Sequence, residues 1–487
     1  MKRLATLLLA SSIIALTGCD DDDDDVVINT PPPAPAEFGS VRVIHASQDA
    51  PKVNVYVDDA LVLEGVDYQQ ASALISLETG TYQIRVDGLL ADGSAATVFD
   101  GAVTLEADTE YNVVAAGSVA QLLAGSGDTP FGPIIAPRAA LSDSAMTDLR
   151  LQVIHAASDV GRVALHVTGP DDELSAATEL TELSFGEFTA DPVVVAPGNY
   201  RVRLTDVDDA TMVAYDSGAL DLSAPADLFI AATSNTQAGA APVNLLVADN
   251  QADEAGNDAA IIQDAMLGSA LRATHGINFV GGVDIWVNGA APAMDSPLYN
   301  LMFGQTTPAT GFLDLPADTY QIQVAANATA TVLIDIPELM LAPGMAYSAT
   351  AVIDADGNPS LWAVAEDLRS IATEARLRVL HGSESAGEVD IYLSADMMAD
   401  DSDIKLSAVP YLADSGILSI PPASYYLLVT PAGMPEVVAI GPAMINLEAG
   451  KRYTAIATDD PMNVTGLATD GIGIGLILQD AFVATEE

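Results

Sequence analysis

One short unit occurs four times in this chain and limits what it can fold into. It reads V-R-V-I-H-A-S-Q-D-A-P-K-V-N-V-Y-V over residues 41–57 and returns over residues 151–167, 271–287 and 377–393. Each copy is an apolar run ending in histidine, then a turn, then a second apolar run. Four of the five histidines, His45, His155, His275 and His381, hold one register of this unit. They fall about a hundred residues apart, the length of a domain that buries its own core. The chain therefore reads as four copies of one module.

Within each module the apolar residues come in short β-branched runs cut by Gly, Pro, Asp and Asn, the pattern of an all-β domain. In the first copy, strands are predicted over residues 40–46, 52–57, 69–77, 81–86, 97–105, 111–116 and 133–136. Tyr82, Ile84 and Val86 alternate with Gln83 and Arg85, the period of a half-buried strand. Turns are expected at Asp58-Asp59, Thr79-Gly80 and Asp92-Gly93. Strands so short and so spaced predict a two-sheet sandwich, so the fold class is all-β, a tandem array of four antiparallel β-sandwiches. Other landmarks recur. Tyr82, Tyr200, Tyr320 and Tyr425 open one strand of each copy. Tyr111, Tyr347 and Tyr453 stand on a later strand, where the second copy has Leu228. These tyrosines read as core residues with an outward-reaching hydroxyl. The expected modules span residues 38–138, 146–251, 268–368 and 374–487. The Ala-, Asp- and Asn-rich stretch over residues 248–269 is the expected hinge. The modules are expected to form a string, semi-rigid within pairs one–two and three–four.

The N-terminus carries an address. Lys2 and Arg3 precede an apolar run over residues 4–16, short for a membrane span. It ends in Leu16-Thr17-Gly18-Cys19, which resembles a bacterial lipobox, and Cys19 is the one cysteine of the sequence. The resemblance implies removal of residues 1–18 as a signal peptide and lipidation of Cys19, where several acyl chains anchor far more firmly than one. A single cysteine allows no intramolecular disulfide. The run from Asp20 to Asp25 and the prolines of residues 31–35 predict an extended tether over residues 19–37. The expected location is the bacterial cell envelope, membrane-bound through Cys19 and periplasmic or surface-exposed. An aspartate after the lipidated cysteine resembles an inner-membrane retention signal of enteric bacteria; inner and outer membrane both stay open. The net charge of −51 argues against a nucleic-acid partner, because phosphate contacts need Lys and Arg. The acidity reads as solubility charge, with cation binding as the alternative.

The unit around His45, its Asp49-Ala50-Pro51 turn and the strand led by Gly80-Thr81-Tyr82 resemble the bacterial family called domain of unknown function 4397. The resemblance covers nearly all of the chain after the tether, in four copies. It is best in the first; Gly161, Gly281 and Gly387 replace the turn proline later, and the second copy lacks an acidic or amide residue on the second strand. It implies a secreted or lipid-anchored envelope protein and an immunoglobulin-like or transthyretin-like sandwich. It brings no established activity.

A hairpin centred between Asp49 and Ala50 would set His45 opposite Asn54, His275 opposite Asp284 and His381 opposite Asp390, with His155 opposite Ala164. A one-residue slip would remove these pairs. Three roles for the histidines follow. In the structural one the imidazole hydrogen-bonds neighbouring backbone or carboxylate and locks the hairpin. A metal site would have two ligands per module, short of the three or four of a zinc site. Acid–base catalysis, as in a hydrolase, needs a nucleophile or substrate pocket that the sequence does not display. Asp354, Asp356 and Asn358 resemble the start of a calcium loop, but the later ligands of an EF-hand are missing and a hairpin turn with Gly357 at positive φ fits better. Asp206, Asp208 and Asp209 share that ambiguity. Gly471, Gly473 and Gly475 lack the lysine and following helix of a phosphate loop. The expected function is a lipid-anchored, non-catalytic envelope protein acting as spacer, adhesive stalk or protein- or glycan-binding module. A calcium-dependent binding module is the alternative, and a hydrolase built on the repeated histidines a remote one.

Overall fold

The computed structural model of the chain describes residues 36–141, 146–250, 259–327, 329–460 and 473–480. The expected signal peptide, Cys19, the tether up to residue 35 and Gly471 lie outside them. The described strands form eight sheets, two for each copy of the repeated unit, so the tandem sandwich array is the fold.

The first module contains β1 (Phe38–His45), β2 (Val53–Val57), β3 (Ala60–Val66), β4 (Gln70–Ala71), β5 (Ile75–Glu78), β6 (Gly80–Leu89), β7 (Ala95–Leu105), β8 (Thr109–Ala116), the short helix α1 (Val119–Ala124) and β9 (Gly132–Ala139). Its first sheet has the order β4-β1-β8-β9, with β5 also on β1; its second has the order β3-β2-β6-β7. Two differences from the sequence reading stand out. The run over residues 60–66 is a strand, paired to β2 through a turn in which Asp58 and Asp59 have φ of 47° and 64°, the left-handed pair a two-residue hairpin needs. The expected strand over residues 69–77 is split into β4 and β5.

The sandwiches are not wholly antiparallel. β1 runs parallel to β8, with Val41 beside Tyr111 and Val43 beside Val113. The same parallel pair joins Leu149–His155 to Ala226–Ser234, Ser269–His275 to Ala346–Ile353, and Ala375–Gly382 to Arg452–Asp460. The reason also overturns the expected hairpin. β1 already has neighbours on both edges, β8 on one and β4 with β5 on the other. β2 therefore crosses to the second sheet, and residues 46–52 bridge the two layers.

Alternation builds the cores. Leu377 and Val379 from one sheet meet Ile391, Leu427 and Val429 from the other in the fourth module. Leu151, Val153, Leu165, Leu204 and Ile230 do so in the second. The strand that carries the histidine is apolar on its other face as well. Ile44 and Val114 of the first module pack against Ile154, Phe229 and Leu246 of the second, so the two first sheets lie face to face. Leu380 and Ile456 of the fourth module meet Val364 and Trp362 of the third in the same way. Ile44, Ile154, Phe229 and Leu246 are fully buried, each stabilising the pair by roughly 1.5–3 kcal/mol.

The pairs are joined to each other within residues 37–487. Arg369, in the connector after the third module, donates to the carbonyls of Gln48 (2.8 Å) and Ala50 and to Asp67 (2.6 Å) of the first. The Ala372 amide donates to the Asp49 carbonyl at 2.8 Å, and Ala238 of the second module donates to the Gly344 carbonyl of the third at 3.0 Å. The modules therefore pack two by two rather than as a string. The expected hinge is part strand, because Ala259–Ile262 adds to the second module's first sheet beside Val243–Asp249.

Candidate functional site

The repeated histidine closes the end of its strand. In each module the bridging loop folds back so that the carbonyl six residues on meets the ring. His45 Nε2 donates to Pro51 at 3.0 Å, His155 to Gly161 at 2.8 Å, His275 to Gly281 at 3.0 Å and His381 to Gly387 at 2.7 Å. A carbonyl oxygen only accepts, so Nε2 carries the proton. Nδ1 is then an acceptor: it takes the Ile277 amide at 3.3 Å in the third module and the Ser383 amide at 3.5 Å in the fourth. The four rings are at most 1% exposed. Burial pushes the His45 imidazole down to about 4 and lowers His155, His275 and His381 as well. These are neutral histidines locked to backbone.

A second element meets the same histidine. Its backbone carbonyl accepts an amide at 2.8 Å from Gln69, Gly186, Gly304 and Leu412 in the four modules. Each of those residues has positive φ, between 60° and 82°. Each follows an aromatic residue: Tyr68, Phe185, Phe303 and Tyr411. Tyr68, Phe303 and Tyr411 stand edge-on to their histidines with ring centroids 6.2–6.4 Å apart. This aromatic-plus-left-handed pair is a repeat landmark that the sequence reading missed. Its spacing from the histidine varies between copies, which hides it.

The expected partners of the histidines do other work, because β1 and β2 lie in different sheets. Asn54 accepts the Gly65 amide at 2.8 Å, Asp284 the Asn300 amide at 2.9 Å and Asp390 the Ala408 amide at 2.7 Å. Gly65, Asn300 and Ala408 all have positive φ. The side chain on the second strand thus pins a left-handed kink in the segment beside it. The second module, with Ala164 there, pairs Val163–Leu165 with Thr181–Leu183 without a register shift. At Asp390, burial opposes the charge, but the Ala408 and Gly433 amides and Lys405 outweigh it and hold the carboxyl below its usual range.

The tyrosines are fold pins too. Tyr82, Tyr200, Tyr320 and Tyr425 each donate to the carbonyl four residues upstream, at 2.6–2.9 Å. Tyr111, Tyr347 and Tyr453 each accept the amide five residues upstream, at 2.9–3.4 Å. Leu228 fills that position by bulk alone.

A family described as Domain of unknown function (DUF4397) matches residues 39–166 and 269–392, just over half of the chain. The chain belongs to this family. Both DUF4397 matches start in the first strand of an odd-numbered module and end in the second strand of the even-numbered module that follows. They cover corresponding parts of the two halves, which fits the pairing of sandwiches. The structure entitled "The Bacillus anthracis TIE protein" is similar at 9% identity, covering 88% of this chain and 69% of that one, with a TM-score of 0.14. No curated protein matches.

The acidic turns satisfy themselves. Asp354 accepts the amides of Asp356 (3.0 Å) and Asn358 (2.9 Å), with Gly357 at φ 81°. Asp206 accepts those of Asp208 and Asp209 at 2.8 and 3.1 Å. Among the described residues no three His, Cys, Asp or Glu side chains converge as metal ligands.

Basic residues are scarce, 17 against 68 acidic ones, and several sit where modules meet. Arg138 is fully buried against Glu110 (2.7 Å) and Asp227 (3.1 Å), and Asp227 also pairs with Arg150 at 3.2 Å. Between the third and fourth modules, Glu366 pairs with Arg272 at 3.1 Å and with Arg378 at 3.0 Å. Arg42, Gln152, Arg272 and Arg378 stand three residues before the histidine, pointing away from the core. Burial, with Arg138 nearby, pushes the Arg42 guanidinium down to about 10.

Proposed function

We propose that this DUF4397 protein is a lipid-anchored, non-catalytic component of the bacterial envelope that presents its four sandwiches as a platform for protein or glycan binding. One observation carries the reading. The residues with the most chemical capacity at a repeated register, the four histidines, are neutral, buried and spent on backbone carbonyls. What differs between modules is the outer loops, where binding residues usually sit on a rigid scaffold. Two-by-two packing favours a platform over a stalk, because face-to-face sandwiches add width and not reach. Anchoring through Cys19 rests on the Leu16-Thr17-Gly18-Cys19 sequence and the acidic tether after it. We also read all four modules as copies of the one family, supported by the histidine closure common to them.

The test is metabolic labelling with radioactive palmitate, followed by photo-crosslinking of intact cells. Label on the parent chain and none on Cys19→Ser, with crosslinks from module loops to an envelope protein or glycan, supports the reading. An unlabelled parent chain refutes the anchor. Turnover in a hydrolase screen that is lost in His381→Ala refutes the non-catalytic role.

A further inference from the structure

A cleft of about 350 Å³ opens where the two halves meet. Four segments far apart in sequence wall it: residues 67–70 of the first module, 236–237 of the second, 344–345 of the third, and the connector 366–369. Its volume lies within the range of small-molecule sites, and joins between domains are a common place for them.

The wall is charged, but its charges are already matched. Asp67 pairs with Arg369 at 2.6 Å and with Lys52 at 3.4 Å, Asp367 with Arg376 at 2.7 Å, and Glu366 with Arg272 and Arg378. An ionic ligand would have to break one of these pairs. Capacity remains on neutral groups. Gln70 spends its Oε1 on the Asp67 amide, and its NH2 has no partner among the described residues. Gln237 spends its Oε1 on Asn244 and Gln263, and its NH2 likewise has no partner among the described residues. The Thr236 hydroxyl has no partner among the described residues. Paired carboxylates keep lone pairs that accept from a hydroxyl. A surface of free amides, a hydroxyl and neutralised carboxylates suits a ligand that donates and accepts at many points without charge.

We propose that this cleft binds a neutral saccharide across the join of the two halves. This rests on the glycan-binding side of the function proposed above. Arg369 is the latch: it reaches from the connector into the first module and stands over the Tyr68 ring at 5.0 Å, so the site exists only while the halves are docked.

The test is calorimetric titration of the full-length chain in detergent with N,N′-diacetylchitobiose, cellobiose and maltose. Spermidine and inorganic phosphate serve as the charged probes. One or more disaccharides should bind at one per chain. Affinity should fall at least tenfold in Thr236→Arg, which fills the cleft, and in Gln70→Ala, with melting temperatures equal to the parent's. Absence of disaccharide binding, equal binding by both variants, or tighter binding of a charged probe lost in Thr236→Arg overturns the site. Palmitate labelling and crosslinking of intact cells judge the anchored platform separately, so failure here leaves that reading to its own experiment.

Discussion

Replacing His45 with glutamine should flatten the acid response of the first module. The ring is fully buried, and its folded value is about 4 against an ordinary 6.5. Between those values the unfolded chain binds more protons than the folded one. Stability is therefore full above pH 6.5 and is lost as pH falls toward 4. The gap amounts to about 3 kcal/mol over the whole window, of which about 2 kcal/mol falls between pH 7 and 5. Glutamine keeps an N–H for the Pro51 carbonyl but does not titrate. Four packed modules need not unfold in one step, so the readout is native-state hydrogen exchange at the amides of β1 and β8. The parent should lose about 2 kcal/mol of protection from pH 7 to 5, and His45→Gln much less. Relief of acidic self-repulsion acts in the opposite direction but equally in both proteins. An identical pH dependence in parent and variant would refute the neutral, carbonyl-bound histidine.

Other outcomes follow from single contacts. Arg138→Ala leaves Glu110 and Asp227 buried with one cation fewer, and urea unfolding should show a loss of about 3–5 kcal/mol. Asn54→Ala removes the acceptor of the Gly65 amide and should cost about 1 kcal/mol by the same assay. Gly117→Ala should lower the melting temperature sharply, because φ is +91° and the new Cβ would sit 2.3 Å from the Pro130 carbonyl oxygen. Millimolar calcium should leave the melting temperature where matched magnesium leaves it, since Asp354 and Asp206 already serve their own turns.

The repeat and the sandwich were legible because β-branched runs, turns and four histidines recur at one register. A hydrogen bond from the histidine to backbone was one of the three roles the sequence left open, and the carbonyl that takes it was not foreseen. A hairpin and a crossover both place two apolar strands around a turn, and Asn54, Asp284 and Asp390 looked like cross-strand partners on the first assumption. One feature was on the strand itself: Val43 and Ile44 are adjacent and both apolar, so β1 has two covered faces, while its place between β8 and β4 with β5 comes from pairing that its side chains do not reveal. The same signal, with Arg42, Arg272 and Arg378 on the outward face, points to module pairing. The left-handed residues after Tyr68, Phe185, Phe303 and Tyr411 could not be read, because two of the four, Gln69 and Leu412, are not glycine and take positive φ under tertiary constraint. The cleft was invisible, since its walls come from four segments that only the docking of the two halves brings together.

Two-by-two packing is the claim on which the platform and the cleft both depend. Small-angle X-ray scattering of residues 37–487 tests it most directly. With each sandwich taken at about 13 Å radius of gyration, packed pairs give about 25 Å and four in a line about 40 Å. A value near the first, rising in Arg369→Ala, is the expected result. A value near the second for the parent chain would contradict the account and return the protein to a string of independent modules.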